Sequence, residues 1–224
     1  MTDKKKRGVI FDLDGTMWDA SAVTEKTWVK VLSDHSEVKP AVELTGENVK
    51  FYMGLTNEEL AGIFFPDLPF EQAFGLMNES CALENEWLPV CGGKLYDGLE
   101  AALDGLIADG YSLYVVSNCQ DGYIEAFLDA HGMRSRFSDH ECSGRSGKPK
   151  GENILDIIAR NGLDCAVYVG DTVSDSGGAR IAGIPFIYAK YGFGENYKRG
   201  KTEDYDRAID SLRELRAAVG SLIG

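Results

Sequence analysis

The sequence predicts an α/β fold: a parallel-sheet core interrupted, after its first strand, by an all-helical block. Three observations carry this. Val9-Ile10-Phe11, Leu113-Tyr114-Val115-Val116 and Ala166-Val167-Tyr168-Val169 are apolar at every position, the pattern of strands covered on both faces. From residue 94 onward such runs alternate with amphipathic stretches, which gives right-handed crossovers and a parallel sheet. Residues 18–93 carry helical periodicity and no convincing strand. The expected domains are therefore an α/β core of residues 1–17 and 94–224 and a helical insertion of residues 18–93.

The elements follow in order. Val9 to Phe11 is the first strand and runs into Asp12, Asp14 and Gly15. Trp18 to His35 reads as a helix with Ala22, Val29 and Leu32 as its apolar stripe. Glu47–Met53 and Asn57–Phe65 are two more, the second with Thr56 as N-cap and Glu59 three residues on. Phe70 to Trp87 is a long amphipathic helix, with Pro89 beyond its end. Gly98 to Ala108 is helical and stops at Gly110. Leu113–Val116 is a strand ending in Ser117-Asn118, Asp121–Ala130 a helix, and Phe137–Cys142 a short strand. Glu152–Arg160 is a helix stopped by Asn161-Gly162, and Ala166–Val169 a strand ending in Gly170-Asp171. Asp175–Ala182 is a helix closed by Gly183, and Pro185–Tyr188 another strand. Tyr205 to Val219 is expected to close the chain as helix.

The totals limit the possible partners. The chain has 224 residues, a net charge of −13 and a pI near 4.7. Such a surface repels nucleic acid and anionic lipid, so neither is expected as partner. An anionic substrate would have to be drawn by local positive groups or a metal. Five scattered cysteines, odd in number and without a Cys-x-x-Cys pair, suit a reducing cytoplasm. Met1 to Arg7 is polar and basic with no apolar signal segment behind it, and no run is long or apolar enough to span a bilayer. His35, His131 and His140 lie far apart without metal-ligand spacing and are expected at the surface or in packing. The oligomeric state leaves no sequence signal.

Each strong strand ends in polar chemistry. Carboxyl ends of parallel strands are where open α/β sheets place ligands. Asp12 and Asp14, alternate residues on an extended chain, can face one site. Collected at one edge with Ser117, Asp171, Asp175 and a lysine, Lys148 or Lys150, they would make a site of four carboxylates, one hydroxyl and one ammonium. Carboxylates at that density need a divalent cation, and all-oxygen ligation suits Mg²⁺. The hydroxyl, backbone N–H groups and the ammonium can hold a phosphoryl group, and a carboxylate can attack its phosphorus. Asp171 and Asp175 also flank a helix start, where capping is their alternative role. Ser117 has the alternative of a turn residue.

These pieces, in this order, resemble the haloacid dehalogenase-like superfamily of phosphatases. Asp12-Leu13-Asp14-Gly15-Thr16 is similar to its first motif, Ser117-Asn118 to its second, the lysine segment to its third and Gly170-Asp171-Thr172-Val173-Ser174-Asp175 to its fourth. Tyr191-Gly192-Phe193-Gly194 and Ile209-Asp210-Ser211-Leu212-Arg213-Glu214-Leu215 are similar to the phosphoglycolate-phosphatase-like branch. The resemblance implies a Rossmann-like core with residues 18–93 as a helical cap, and an aspartyl-phosphate mechanism with Mg²⁺ acting on a small phosphorylated metabolite. By position, Asp12 would be nucleophile and metal ligand. Asp14 would be acid and base, with its carbonyl on the metal. Ser117 and the Asn118 N–H would hold phosphoryl oxygens, Asp171 would ligate the metal, and Asp175 would support it directly or through water. Gly54-Leu55-Thr56-Asn57-Glu58 resembles the cap loop that dips toward substrate, which makes Gly54, Thr56, Asn57 and Glu58 candidate substrate contacts.

The lysine stays open between two registers. Lys148-Pro149 resembles the common family form, which has a second proline where this chain has Gly151. Lys150-Gly151-Glu152 resembles another form, with lysine two residues before a glutamate, and is favoured. A phosphomutase of the β-phosphoglucomutase kind shares the motifs and is the alternative enzyme. A non-catalytic phosphoacceptor or regulatory protein on the same scaffold is the alternative outside enzymes. A haloacid dehalogenase is disfavoured, because members of that branch lack the second aspartate, here Asp14.

Overall fold

The computed structural model describes residues 5–196 and 204–224. Strand β1, Arg7–Phe11, leads through a turn into β2, Trp18–Asp19. Four helices follow: α1 (Ser21–Asp34), α2 (Gly46–Tyr52), α3 (Asn57–Phe64) and α4 (Phe70–Cys91). The chain returns through β3 (Lys94–Leu95) and α5 (Leu99–Ala108) to β4 (Ser112–Ser117), then α6 (Tyr123–Ala130), β5 (Phe137–Cys142) and α7 (Ser143–Ser146). It continues with α8 (Lys150–Asn161), β6 (Cys165–Gly170), α9 (Val173–Ala182), β7 (Phe186–Ala189), α10 (Phe193–Asn196), β8 (Arg207–Ile209) and α11 (Leu215–Ile223).

Six strands form one parallel sheet in the order β5-β4-β1-β6-β7-β8. Strand β1 lies at the centre, between β4 and β6, because its residues are apolar on both faces. Val9 and Phe11 face one layer, with Val115, Val167 and Val169, and Ile10 faces the other, with Tyr114, Val116 and Tyr168. The pairing sets Phe11 level with both Val115 and Val169. The residues after these three strands therefore emerge side by side. Helices α1–α4 pack on one another around Trp28, Val49, Phe64, Leu76 and Met77, in a cluster separate from the two on the sheet. Their base is shared with the sheet layer through Trp18, Ala20, Val23 and Leu88.

Several expectations are corrected. Trp18 does not open a helix: Trp18–Asp19 pairs antiparallel with Lys94–Leu95, a two-stranded ribbon where the helical block meets the sheet. The Asp19 carboxylate then accepts from the Ser21 N–H at 3.0 Å and its hydroxyl at 2.5 Å, which starts α1 three residues later than expected. The apolar stripe of α1 is rotated as well. Ala22 and Val29 are exposed, while the buried face is Ser21, Val23, Thr24, Thr27, Trp28 and Val31. Thr24 and Thr27 face inward because a polar group, Glu84, lies opposite. Helix α4 runs through Pro89 to Cys91. The proline removes one N–H, but the last turn survives because Leu88 is fully buried and the Gly92 N–H closes on its carbonyl at 2.8 Å. At the C-terminus, Arg207–Ile209 is the edge strand β8 and not helix. The helical turn starts only after Ser211, whose hydroxyl accepts from the Arg213 N–H.

Candidate active site

Asp12 is the first residue past β1 and is almost fully buried. Its N–H donates to the Val169 carbonyl at 2.8 Å, so β6 still holds it. The Lys150 ammonium donates to Asp12 Oδ1 at 2.9 Å and to Asp175 Oδ1 at 2.5 Å. Lys150 is the first residue of α8, and its stem crosses α9 at Gly178. At Gly151 a Cβ would come within 2.7 Å of Ile181, so glycine is what lets α8 seat closely enough for Lys150 to reach in. Lys148, two residues earlier, points outward and pairs with Asp156 at 2.5 Å on the surface. Of the two candidates, the site contains Lys150.

Asp175 takes the capping role and also faces the acidic cluster. Its Oδ2 accepts from the Thr172 N–H at 2.8 Å and hydroxyl at 2.7 Å and from the Asp171 N–H at 3.1 Å, while the Thr172 hydroxyl accepts from the Asp175 N–H. This is a reciprocal capping box at the start of α9, with Thr172 as N-cap. Its other oxygen faces Lys150. Asp171 is fully buried. Its Oδ2 accepts from the Phe193 N–H at 2.6 Å and the Gly194 N–H at 3.1 Å, and its Oδ1 from the Thr16 hydroxyl at 3.3 Å. The glycines of Tyr191-Gly192-Phe193-Gly194 serve this approach, since a Cβ at Gly192 or Gly194 would collide with Asp171.

One carboxylate oxygen each of Asp12, Asp171 and Asp175 falls within 4.8 Å of the others. Burial raises the Asp12 pKa to about 6, helped by the negative charge of Asp175 and resisted by Lys150. Burial, then Asp175 and Asp12, also push Asp171 well up, against the N–H groups of Gly194 and Phe193. Burial opposes the charge on Lys150, yet Asp12 and Asp175 outweigh it and raise its pKa. The cluster therefore holds more buried carboxylates than ammonium to neutralise them. Hard oxygen donors with an excess of negative charge fit a divalent metal ion.

Asp14 points to the other side of Asp12. The Tyr123 hydroxyl donates to its Oδ1 at 3.0 Å. Burial and then Asp12 push its pKa well above the usual carboxylate range, and Tyr123 opposes this. Ser117 ends β4, buried, on the wall of the same small cavity as Asp12 and Asp14. The Asn118 amide donates to the Gly54 carbonyl at 3.1 Å and accepts from the Ser143 hydroxyl at 3.1 Å, and so ties the loop before α3 to the sheet edge. In that loop Gly54 has φ +87°, a conformation glycine supplies without strain. Thr56 is the N-cap of α3, in a capping box with Glu59. Asn57 reaches both the small cavity and a wider outer cleft, whereas Thr56 and Glu58 line the outer cleft alone.

Three contributors carried no assignment in the sequence: Tyr123, Gln120 and Glu84. Gln120 Nε2 donates to Glu84 Oε2 at 2.8 Å, linking the loop after β4 to α4. Glu84 did leave a signal. It occupies the buried stripe of α4, with Leu76, Met77, Ser80, Cys81 and Leu88, where a carboxylate is out of place.

Residues 9–189 match the family described as haloacid dehalogenase-like hydrolase. A phosphoglycolate phosphatase of Xylella fastidiosa is 28% identical, over 91% of this chain and 89% of its own length. A plasmid-borne phosphoglycolate phosphatase of Cupriavidus necator is 29% identical, over 94% and 92%. The crystal structure of a predicted phosphoglycolate phosphatase from Haemophilus somnus superposes with a TM-score of 0.81 at 22% identity, covering 96% of this chain and 99% of that one. With its family's match spanning both the sheet and the helical block, this chain belongs to the haloacid dehalogenase-like hydrolases.

Proposed function

We propose that the protein is a phosphatase that hydrolyses a small phosphate monoester through an aspartyl-phosphate on Asp12, with Mg²⁺ as its metal. The observation that supports this most is the placement of Asp12, with Lys150 and the acidic cluster on one side and Asp14 on the other.

An oxygen of Asp12 attacks phosphorus as the bond to the ester oxygen breaks. Asp14 hands a proton to that oxygen and the alcohol leaves. Asp14 then takes a proton from water, which attacks the phosphorus of the aspartyl-phosphate, frees inorganic phosphate and restores the Asp12 carboxylate. Ser117 and the Asn118 N–H donate to phosphoryl oxygens through both steps, and Lys150 offsets the negative charge. Bound Mg²⁺ would neutralise phosphoryl charge, held by Asp12, Asp171 and the Asp14 carbonyl. Asp175, whose oxygens are engaged by the α9 cap and Lys150, would act through water.

Residues 18–93 act as a cap over residues 1–17 and 94–224, and the β2–β3 ribbon is the crossing point between them. Of the four cap-loop candidates, Gly54 and Asn57 meet substrate from the cap side, while Thr56 and Glu58 line only the outer cleft. Among the described residues no helix is long and apolar enough to cross a membrane, and all five cysteines are free thiols.

Turnover of p-nitrophenyl phosphate with Mg²⁺, with excess EDTA, and by Asp12→Asn tests the reading. The expected result is activity with Mg²⁺, none with EDTA, and a loss of several orders of magnitude in the variant at unchanged circular dichroism. Near wild-type turnover by Asp12→Asn would refute the nucleophile, and full activity in EDTA would remove the metal.

A further inference from the structure

The Asp14 side of the site opens into a small inner cavity of about 60 Å³, lined by residues of α1, α3, α4 and the loop after β4. Asp12, Asp14 and Ser117 line it. The outer cleft is wider, about 660 Å³, and Lys148, Lys150 and Asn118 are among its walls while Asp12 and Asp14 are not. An alcohol that receives its proton from Asp14 therefore lies first against the walls of the inner cavity, which shares Gly54, Asn57, Asn118 and Gln120 with the outer cleft.

The charged residues on the walls of that cavity, Asp12, Asp14 and Glu84, are all acidic. Glu84 enters from α4 and is only 5% exposed. Its Oε1 faces the Thr27 hydroxyl at 3.4 Å and its Oε2 accepts from Gln120. Thr24, also buried, stands beside it and holds its pKa down somewhat, yet no group among the described residues meets the Thr24 hydroxyl in hydrogen-bond geometry. A buried hydroxyl left in this way on a cavity wall is a position for a ligand atom. No lysine, arginine or histidine lines the cavity. Above pH 7, where Glu84 is ionised, a carboxylate placed there would meet its negative charge with no cation among the lining residues to receive it.

We infer, resting on the phosphatase reading above, that the substrate's alcohol is short and presents a hydrogen-bond donor, hydroxyl or ammonium, to Glu84 and Thr24, and that Glu84 rejects esters whose alcohol bears a carboxylate. Glu84 is thus a specificity-determining residue. The name shared by the relatives does not transfer as substrate, because this cavity lacks the positive group a phosphoglycolate carboxylate requires.

The test measures kcat/KM at pH 8 with Mg²⁺ for 2-phosphoglycolate, glycerol 1-phosphate and phosphoethanolamine, beside p-nitrophenyl phosphate, on the wild type and Glu84→Gln. In the wild type at least one donor-bearing ester should exceed phosphoglycolate by about tenfold or more, the scale of one partly screened like-charge contact. Glu84→Gln should narrow that gap by about tenfold. A larger loss for phosphoethanolamine than for glycerol 1-phosphate identifies the ammonium, and a larger loss for glycerol 1-phosphate identifies the hydroxyl. A ratio unchanged by Glu84→Gln, or a wild type that prefers phosphoglycolate, overturns the inference. The wild-type preference decides alone if the variant does not fold by circular dichroism. Turnover of p-nitrophenyl phosphate alone overturns the short-alcohol assignment. No turnover of any ester overturns the phosphatase reading, and this one with it.

Discussion

Replacing Glu84 by glutamine should stabilise the protein at alkaline pH and not at acidic pH. Glu84 is buried away from water, and this raises its pKa from 4.5 to about 7, against the hydrogen bonds of Gln120 and Thr27 and the nearby hydroxyl of Thr24. The unfolded chain releases this proton near 4.5, whereas the folded protein keeps it to about 7. Between those values the native state binds more protons, so stability falls as pH rises, and it levels off above 7. A gap of that size corresponds to about 3 kcal/mol across the window. Glutamine has no proton to lose. Asp14 and Cys81 also feel the Glu84 charge, and removing it relieves both in the same direction. The altered hydrogen bonds to Gln120 and Thr27 add an offset that does not vary with pH. Thermal unfolding of wild type and Glu84→Gln in EDTA, from pH 5 to pH 8.5, isolates the term. For a chain of this length about 3 kcal/mol is roughly 6–12 °C in Tm. The Tm difference should move in favour of the variant by that order as pH rises. Parallel curves would refute the argument, because they would mean that Glu84 ionises as it does in water.

Other outcomes follow from the same geometry. Lys150→Ala strands Asp12 and Asp175 in the interior and should cost about 3–5 kcal/mol in EDTA. Added Mg²⁺ should restore part of that stability but not turnover, while Lys148→Ala, which loses only a surface pair, should match the wild type in both assays. Damage by Lys148→Ala equal to that by Lys150→Ala would put the wrong lysine in the site. Thr56→Ala should cost about 1 kcal/mol through the α3 capping box and leave the rank order of esters alone. Asn57→Ala, at a position facing the inner cavity, should change that order. The same set of specificity constants on both variants checks the pair.

The sheet and most of the acidic cluster were legible in the sequence because their signals are local. A parallel strand covered on both faces must be apolar at every position, so β1, β4 and β6 stand out without knowledge of their neighbours. Once they pair in parallel, Asp12, Ser117 and Asp171 emerge at one edge whatever the surrounding detail. Only the tertiary structure decided which lysine serves the site. Lys148 and Lys150 are two residues apart in similar surroundings, and the choice rests on where α8 begins and on Gly151 and Gly178 meeting α9 closely. It also decided the face of α1, whose exposed Val29 and buried Thr27 reverse the local hydropathy, because Thr27 is paired across 57 positions with Glu84. The edge strand β8 is three residues long and depends on β7 for its hydrogen bonds, so its sequence reads as well for helix. Chain-local periodicity records which residues prefer to be buried. What each buried polar group faces is a property of two surfaces brought together by the fold, and the acidic lining of the cavity beside Asp14 is set there.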